Sequence, residues 1–230
     1  MYNRVILKLS GEALCGSREF GIDFNIATEI GRAVKRCVDL ETQIGIVIGG
    51  GNFWRGRDKK MKRVTADRVG MIATVMNALI FAEILQELNI DCVVQTSIPM
   101  VNIAEFYIIE KAVKHLENGK VVIFACGTGG PFFSTDTAAA LRACEVGAEI
   151  VFKATMTDGV YDSDPKKNLF AKKYEKISLK EVLEKNLGVM DSAAAAICKE
   201  NNIPIQIFSI SDPDNIAKAI AGNPVGTFCF

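Results

Sequence analysis

The sequence predicts an α/β protein: a three-layer αβα sandwich around a mostly parallel central sheet, in a single domain spanning residues 1–230. Three observations lead to this fold class. Short β-branched runs alternate with longer helical patterns. Most of the short runs are nearly continuous Val and Ile, which is typical of strands covered on both faces. The chain has 230 residues, 49% of them hydrophobic and 23% charged, so it can bury a core without disulfides or metals.

Strands and helices alternate along the chain without repeats, low-complexity segments or a long linker. The predicted strands cover residues 4–9, 44–48, 91–96, 120–126, 149–154, 205–210 and 226–230. The predicted helices cover residues 25–40, 66–88, 103–117, 135–146, 179–185, 191–201 and 213–220. Two helix starts carry capping signals. Ser178 with Glu181 has the spacing of a capping box, and Asp212 is a good N-cap because Pro213 suits the first helical position.

The helix predicted over residues 66–88 is apolar on more than one face. A helix of this kind must be buried on two sides. Either it lies deep inside the domain, or its outer face contacts another subunit. We favour the subunit contact, because a chain of this size has little room for a fully internal helix.

Charge and composition argue against several classes of protein. The 27 Lys and Arg residues balance the 27 Asp and Glu residues, so no overall field attracts nucleic acid or an anionic membrane. The basic run from Arg55 to Arg63 lacks interleaved aromatic residues, which favours a solvated loop over a nucleic acid site. The stretches without charge are too short for a membrane span of about 20 residues, and residues 5–7 are too short for a signal peptide. We therefore expect a cytosolic protein.

The cysteines and the single histidine restrict metal and nucleophile chemistry. The seven cysteines are odd in number, widely spaced and without a C-x-x-C pattern, so we interpret them as small buried residues that stay reduced. His115 stands alone in the sequence, which disfavours a His/Cys zinc site and a Ser-His-Asp triad.

Three predicted strands run directly into loops of glycine and other small residues. The first strand carries Lys8 near its end and is followed by Ser10 and Gly11, the second runs into residues 49–51 (GGG), and the fourth into residues 127–130 (GTGG). Ligands of parallel sheets collect at the carboxyl ends of the strands, where glycines and helix N-termini favour anions. Tight βα turns alone also use glycine, but three such loops with Lys8 and Arg55 favour a polyphosphate ligand.

The common nucleotide-binding motifs do not account for these loops. No G-x-x-x-x-G-K-[ST] pattern occurs, so the chain is not a P-loop protein. In the stretch from Gly127, Phe132 stands where a dinucleotide fingerprint has its third glycine, and Glu149 opens a strand instead of closing one. A dinucleotide-binding fold is therefore disfavoured.

Residues 8–14 (KLSGEAL), 49–56 (GGGNFWRG) and 127–136 (GTGGPFFSTD) resemble the motifs of the bacterial uridylate kinases in the amino-acid-kinase superfamily. Residues 158–165 (DGVYDSDP) and 189–191 (VMD) continue the resemblance, which covers essentially the whole chain in order. The first two motifs are shared across the superfamily, whereas the GTGGPFF run and the segment around Asp67 narrow the resemblance to uridylate kinases.

The resemblance implies transfer of the γ-phosphoryl group of ATP to UMP, which gives UDP and ADP. The attacking phosphate oxygen is already ionised, so no general base is needed, and Mg²⁺ would arrive with ATP instead of occupying a dedicated protein site. The catalytic residues implied are Lys8, Asp158 and Asp191. The ATP contacts implied are Lys8, Leu9, Ser10, Gly11, Gly51, Arg55, Thr155, Tyr161 and Asp164. The UMP contacts implied are Gly50, Asp67, Thr128, Gly129, Gly130, Pro131, Phe132, Phe133, Ser134 and Thr135.

Several of these residues have an alternative structural interpretation. Lys8 is also explained as a solvated lysine at a strand end, Asp67 as a residue that stabilises a helix dipole, and Asp158 as part of a D-G turn. Phe132 and Phe133 either pack on a base or belong to the core.

Regulation and assembly follow from the resemblance as further expectations. Family members that GTP activates carry a Gly-x-x-Gly-Phe-Gly segment, and here Glu19 stands where the second glycine belongs, so GTP control is left open. The family's usual assembly, a homohexamer, agrees with the doubly apolar helix. Two alternatives remain: a sibling kinase with a carboxylate, carbamate or isopentenyl phosphate acceptor, and a storage protein that binds nucleotides or oxyanions without catalysis.

Overall fold

The computed structural model describes residues 2–55, 61–165, 167–168, 170–188 and 190–230. Its strands are β1 Arg4–Leu9, β2 Gln43–Ile48, β3 Cys92–Thr96, β4 Glu105–Phe106, β5 Val121–Ala125, β6 Ile150–Thr155, β7 Val160–Tyr161, β8 Lys173–Tyr174, β9 Lys176–Ile177, β10 Ile205–Ser209 and β11 Thr227–Cys229. Its helices are α1 Gly11–Cys15, α2 Phe24–Val38, α3 Arg63–Glu87, α4 Ile109–Glu117, α5 Thr135–Val146, α6 Leu179–Glu184, α7 Ser192–Glu200 and α8 Asp214–Ile220.

The central sheet has nine strands in the order β4-β3-β5-β2-β1-β6-β10-β11-β9. Every neighbouring pair is parallel except β10 and β11. The predicted mostly parallel sheet is therefore confirmed. Because β5, β2, β1 and β6 are adjacent and parallel, the loops that follow them emerge at one edge of the sheet.

Helices cover both faces of the sheet, which confirms the three-layer arrangement. One buried apolar cluster joins odd-numbered residues of β1 to α2, α3 and α8. A second cluster joins Ile6 of β1 to α4, α5, α6 and α7 on the opposite face. The near-continuous Val and Ile runs are explained by this double coverage, since successive side chains of one strand enter different clusters.

Helix 103–117 of the sequence prediction is wrong in its first half. The helix begins only at Ile109, and Glu105 and Phe106 form the short edge strand β4 beside Gln95 and Thr96 of β3. Pairing with the exposed edge of β3 satisfies backbone groups that a helix would have left open. The elements α1, β7, β8 and β9 were not predicted, because they are too short to show a periodic pattern.

The two capping predictions have different outcomes. The Ser178 cap is confirmed, because its hydroxyl accepts a hydrogen bond from Glu181 N at 3.1 Å. Asp212 lies one residue too early for its predicted role as N-cap, because α8 begins at Asp214 with Pro213 as its N-cap. The Asp212 carboxylate still accepts from Asp214 N at 3.0 Å, so it holds the turn just before the helix.

Helix α3 presents apolar side chains to solvent. Val69, Ile72, Met76 and Leu79 are 37–47% exposed, so the alternative that this helix lies wholly inside the domain is wrong. By length and composition α3 is also long and apolar enough to cross a membrane, although 56% of the apolar window is buried in the fold. We interpret α3 as a core helix with one uncovered apolar stripe, which the spacing 69-72-76-79 makes continuous.

All seven cysteines lie within the described residues, and all are free thiols. Five are buried, and burial raises the pKa of the Cys37, Cys198 and Cys229 thiols to about 12. This confirms the interpretation of the cysteines as unpaired residues, most of them buried.

Candidate active site

A cleft opens where the loops after β2 and β5 meet the first turns of α3. Its lining combines both glycine loops with residues of two helix starts. The lining residues are Gly50, Gly51, Trp54, Ala66, Asp67, Gly70, Met71, Thr74, Gly127, Thr128, Phe133 and Thr135. Six of the residues implied by the resemblance therefore share one hollow: Gly50, Gly51, Asp67, Thr128, Phe133 and Thr135.

Two buried lysines converge on one carboxylate beside this cleft. Lys8 and Lys153 are opposite each other in the β1–β6 register, and both side chains reach Asp136 in the first turn of α5. Lys8 Nζ lies 2.9 Å from Asp136 Oδ1, and Lys153 Nζ lies 2.5 Å from Asp136 Oδ2. All three residues are at most 8% exposed. The alternative that Lys8 is a solvated strand-end residue is therefore wrong.

The pKa of Asp136 is set by opposing effects. Burial by itself raises the pKa of this carboxyl, but the charges of Lys8 and Lys153 outweigh it and hold the pKa below the ordinary 3.8. Burial and the nearby charge of Lys8 lower the pKa of Lys153, while Asp136 opposes that shift. Two cations and one anion thus share a poorly hydrated space, which leaves positive charge available for a further anion.

Lys153 and Asp136 were not predicted as functional residues. A signal was present, because Lys153 interrupts the apolar run of β6 and a lysine is almost never buried without a partner. Asp136 was part of the quoted GTGGPFFSTD motif but was not given a role.

Asp191 joins α7 to the start of α5. Its carboxylate caps α7 by accepting from Ala194 N at 2.8 Å, and it also accepts from Thr137 Oγ1 at 2.9 Å and from the Ser134 hydroxyl. Ser134 in turn caps α5, because its Oγ accepts from Asp136 N at 3.0 Å. Asp191 therefore holds the N-terminus of α5, whose dipole favours an anion at Thr135.

The glycine loop after β2 is packed tightly between α1 and α3. A Cβ on Gly11 would lie 2.4 Å from Gly49 O, and a Cβ on Gly50 would lie 2.9 Å from both Ala73 Cβ and Gly70 O. Only glycine allows these close approaches. The first two glycine loops therefore contact each other, as expected for neighbouring parallel strands.

The buried side-chain amides of Asn52 and Asn77 hold the loop after β2 against α3. Asn52 and Asn77 are 4% and 0% exposed, and each amide donates to the other's oxygen, at 2.9 and 2.7 Å. Asn77 also donates to Gly49 O at 2.7 Å, and Asn52 to Gly21 O at 2.9 Å. The pair satisfies its polar groups internally, so the loop has one fixed position. Asn77 was not predicted as a site residue, because nothing in the neighbouring sequence distinguishes one asparagine within an apolar helix.

The loop from Thr128 to Thr135 is held against α3 by Asp67. Asp67 Oδ2 accepts from Phe132 N at 2.8 Å and lies 3.4 Å from Arg63 Nε. Phe132 has φ +73°, a strained conformation for a residue with a side chain. Phe132 and Phe133 are 60% and 57% exposed, so the alternative that they belong to the core is wrong.

The rest of this loop is held by its own polar groups and by the strand beside it. Thr128 Oγ1 accepts from Gly130 N at 3.2 Å, and Gly129, at φ +86°, packs over Ser97. Pro131 is only partly exposed in the same turn. The backbone from Thr128 to Pro131 is therefore folded into a compact turn at the mouth of the cleft.

Arg55 lies near the cleft and pairs with an acid of α1. Its guanidinium is 2.9 Å from Glu12 Oε1, and a Cβ on Gly51 would lie 3.5 Å from Glu12 Cγ. The pair is exposed, so it contributes little to stability. Arg57, Lys59 and Lys60 of the basic run lie outside the described residues, as does Val189 of the VMD motif.

The residues implied for the donor side lie at the ends of β1 and β6 and around a second hollow. Leu9 is buried in the core, and Ser10 N donates to Ala154 O at 3.2 Å, next to Thr155. Tyr161 and Asp164 line a hollow with the turn at Asn186. Leu9, Ser10, Tyr161 and Asp164 do not line the cleft, whereas Gly51, another of the implied ATP contacts, does.

Asp158 lies with the second group of residues. It accepts from Tyr161 Oη at 2.8 Å and from Lys173 Nζ at 3.1 Å. Burial is the largest single effect and opposes ionisation, but the hydrogen bonds from Tyr161 and Lys173 and the charge of Lys173 together outweigh it and lower the pKa of the Asp158 carboxyl. Asp158 thus pairs with Lys173, whereas the charge of Asp191 raises the pKa of Lys153 in the Lys8 cluster.

Two further expectations concern Glu19 and metal binding. Glu19 does not adopt a positive φ, unlike Gly16 and Gly21 on either side, so its backbone does not require glycine.

Across the part of the chain that the structure describes, no cluster of three or more His, Cys, Asp or Glu residues forms a metal site. His115 instead contacts Glu105 at 3.0 Å, away from the cleft lining.

Comparisons with known proteins agree with this geometry. The chain matches the solved structure of UMP kinase from Bacillus anthracis at 37% identity and TM-score 0.96, over 99% of this chain and 96% of that one. It matches UMP kinase from Ureaplasma parvum at 35% identity and TM-score 0.93, over 100% and 99%. Uridylate kinase from Archaeoglobus fulgidus is 27% identical with TM-score 0.77, over 98% and 99%. The model described as "Amino acid kinase family" matches residues 3–209, and the chain therefore belongs to the amino acid kinase family.

Proposed function

We propose that this protein is a UMP kinase, which transfers the γ-phosphoryl group of ATP to UMP and releases UDP and ADP. The observation that carries the proposal is the pair of buried lysines, Lys8 and Lys153, held by Asp136 beside a cleft lined by two glycine loops. The structural similarity to UMP kinases over the full chain supports the same substrates.

The chemistry requires alignment of two polyanions and neutralisation of the moving phosphoryl group. Lys8 is the proposed contact to the transferring oxygens, and Asp136 fixes its ammonium group in position. Lys153 adds a second positive charge from the neighbouring strand. No general base is required, because the attacking phosphate oxygen is ionised at neutral pH. Mg²⁺ enters as part of the MgATP substrate.

In this proposal the two substrates bind side by side, and Gly51, an ATP contact, also lines the cleft for UMP. UMP occupies the cleft, with Gly50, Asp67 and the loop from Thr128 to Thr135 as its contacts. ATP occupies the donor side, with the backbone from Leu9 to Gly11, Gly51, Arg55, Thr155, Tyr161 and Asp164 as its contacts. Asp191 acts by holding the N-terminus of α5, and Asp158 by fixing Tyr161 on the donor side.

The function is tested by measuring ADP release with different acceptors. With ATP and Mg²⁺, we expect turnover with UMP and at least about tenfold lower kcat/KM with CMP, and none with acetylglutamate or carbamate. Strict preference for one of the other acceptors would identify a sibling kinase. Thermal stabilisation by ATP and UMP without any turnover would identify a binding protein instead.

We also propose that copies of the chain associate through the exposed stripe of α3 into a homohexamer. Its members Val69, Ile72, Met76 and Leu79 follow the 3-4-3 spacing of a helix–helix seam. Wild-type protein should sediment at six times the 25.0-kDa chain mass. Ile72→Glu should lower that mass, because the seam would bury a charge without a partner.

The matched control for the assembly is Phe170→Glu, which changes an 88% exposed aromatic residue away from α3. It should leave the mass unchanged. A wild-type monomer, or an Ile72→Glu variant that assembles as wild type does, would contradict the proposed role of the stripe.

A further inference from the structure

Thr74 lies on the polar side of α3, directly beneath the cleft. It is 3% exposed, and it lines the cleft together with Gly50 on one side and Gly127 on the other. The resemblance assigns it no role. Asp67, Gly70, Thr74 and Asn77 follow the spacing 3-4-3 along one side of the helix, opposite the exposed apolar stripe. Each of these four residues contacts one of the glycine loops.

The hydroxyl of Thr74 has a defined orientation. It donates its proton to Met71 O at 2.7 Å, in the preceding turn of the helix. Its lone pairs are therefore free to accept, and Cys126 N donates to Thr74 Oγ1 at 2.9 Å. Both contacts are buried, so water does not replace either of them.

Cys126 is the residue at which the chain leaves the sheet. The β3–β5 ladder ends with Thr96 opposite Ala125. Cys126 is fully buried with φ +63°, and Gly127 follows with φ +56°. A non-glycine residue in this conformation is strained and persists only when its surroundings hold it there. The hydrogen bond from Cys126 N to Thr74 supplies a partner for a backbone group that would otherwise be buried and unsatisfied.

The direction of the acceptor loop depends on these two left-handed residues. Gly127 and Thr128 come directly after the turn and line the cleft. Gly129 then packs against Ser97, where a Cβ would lie 3.1 Å from the Ser97 carbonyl oxygen. The loop is thus held at its base by Thr74, midway by Ser97 and farther along by Asp67.

We propose that Thr74 is a positioning residue for the acceptor substrate, because its hydroxyl holds Cys126 N and so sets the path of residues 127–130. This rests on the proposed function in one respect: the acceptor is UMP. Thr74 acts through the loop backbone, and its effect is therefore confined to the acceptor side. The donor residues Tyr161 and Asp164 belong to a separate hollow.

The test compares Thr74→Val with wild type in steady-state kinetics. Valine keeps the shape of threonine and removes the acceptor for Cys126 N. We expect the KM for UMP to rise about tenfold, while the KM for ATP changes by less than about twofold. Thr74→Ser retains the hydroxyl and should restore the wild-type KM for UMP. Equal rises for both substrates, or an unchanged KM for UMP, would overturn the proposal.

The chain offers a matched control in α2. Thr28 also donates its hydroxyl to a carbonyl of the preceding turn, to Phe24 O at 2.7 Å, but this hydrogen bond is exposed and Thr28 does not line the cleft. Thr28→Val should leave both KM values unchanged. If Thr74→Val does not fold, Thr74→Cys carries the test, because a thiol is a weaker acceptor than a hydroxyl. A Cys variant with the same KM for UMP as the Ser variant contradicts the proposal.

Hydrogen exchange separates this proposal from the proposed function. In Thr74→Val, amides 126–130 should exchange at least about tenfold faster than in wild type without any substrate present. If wild type does not phosphorylate UMP but exchange increases in this way, the substrate assignment fails and the role of Thr74 in the loop is retained. If exchange is unchanged, the role of Thr74 fails whatever the acceptor.

Discussion

Replacing Lys8 with methionine should lower kcat by on the order of 10²–10³ with little change in either KM. Methionine fills a similar volume but has no charge to place on the transferring phosphoryl group. The fold should be retained, because Lys153 still pairs with Asp136 and the repulsion between the two lysines is removed. Steady-state kinetics and thermal unfolding of the same preparation check both parts.

Lys35→Met is the control for the loss of a lysine. Lys35 pairs with Asp39 in a partly exposed ion pair on α2, and it does not line the cleft. It should show wild-type kcat and a change in stability within about 0.5 kcal/mol. Near-normal turnover of the Lys8 variant would remove Lys8 from the transition state. Loss of turnover together with unfolding would show a structural role instead.

Replacing Asp136 with asparagine should cost about 3–5 kcal/mol of unfolding free energy. The substitution leaves Lys8 and Lys153 buried without their counter-ion. Turnover should also fall, because the ammonium group of Lys8 loses the contact that positions it. Urea unfolding at neutral pH measures the stability change. Asp214→Asn removes an exposed pair with Arg36 and should change stability by about 1 kcal/mol or less.

The unfolding free energy that Asp136→Asn loses should depend on pH in a definite direction. In wild type the folded-state pKa of Asp136 is below its ordinary value, so its stabilisation is present above about pH 3.8 and is lost as the pH falls through the folded-state pKa. In the variant, the pKa of Lys153, which is already lowered, should fall further. Between this lowered folded-state pKa and the ordinary lysine pKa of 10.5, the unfolded chain then binds more protons than the folded one. The stability difference from wild type should therefore shrink as the pH rises toward 10, and a constant difference would contradict this account.

The order of the strands and helices along the chain could largely be predicted from the sequence. Period-2 and period-3.6 patterns are local properties, so the strands of the sheet core and the longer helices were predicted within a few residues. The failures were at Glu105–Phe106, where pairing with the edge of β3 overrode helical spacing, and at α1, which is too short to show a pattern. The glycine loops could also be predicted, because Gly49 and Gly127 stand directly after apolar strand runs.

The residues that contact these loops could not be predicted from the sequence, since they come from distant segments of the chain. Lys153 and Asp136 meet Lys8 only because β6 lies beside β1 and α5 packs across both strands. Thr74 and Asn77 contact loops that follow β5 and β2, and their spacing within α3 says nothing about those contacts.

The sequence alone therefore determined the α/β class, the parallel sheet and the anion-favouring ends of its strands, because each follows from neighbours along the chain. Only the tertiary structure decided that Lys8, Lys153 and Asp136 are buried together. It also decided that the Thr74 hydroxyl and the side-chain amides of Asn52 and Asn77 hold the glycine loops. The physical reason is that the cost of burying a charge or a backbone N–H depends on what is brought against it in space.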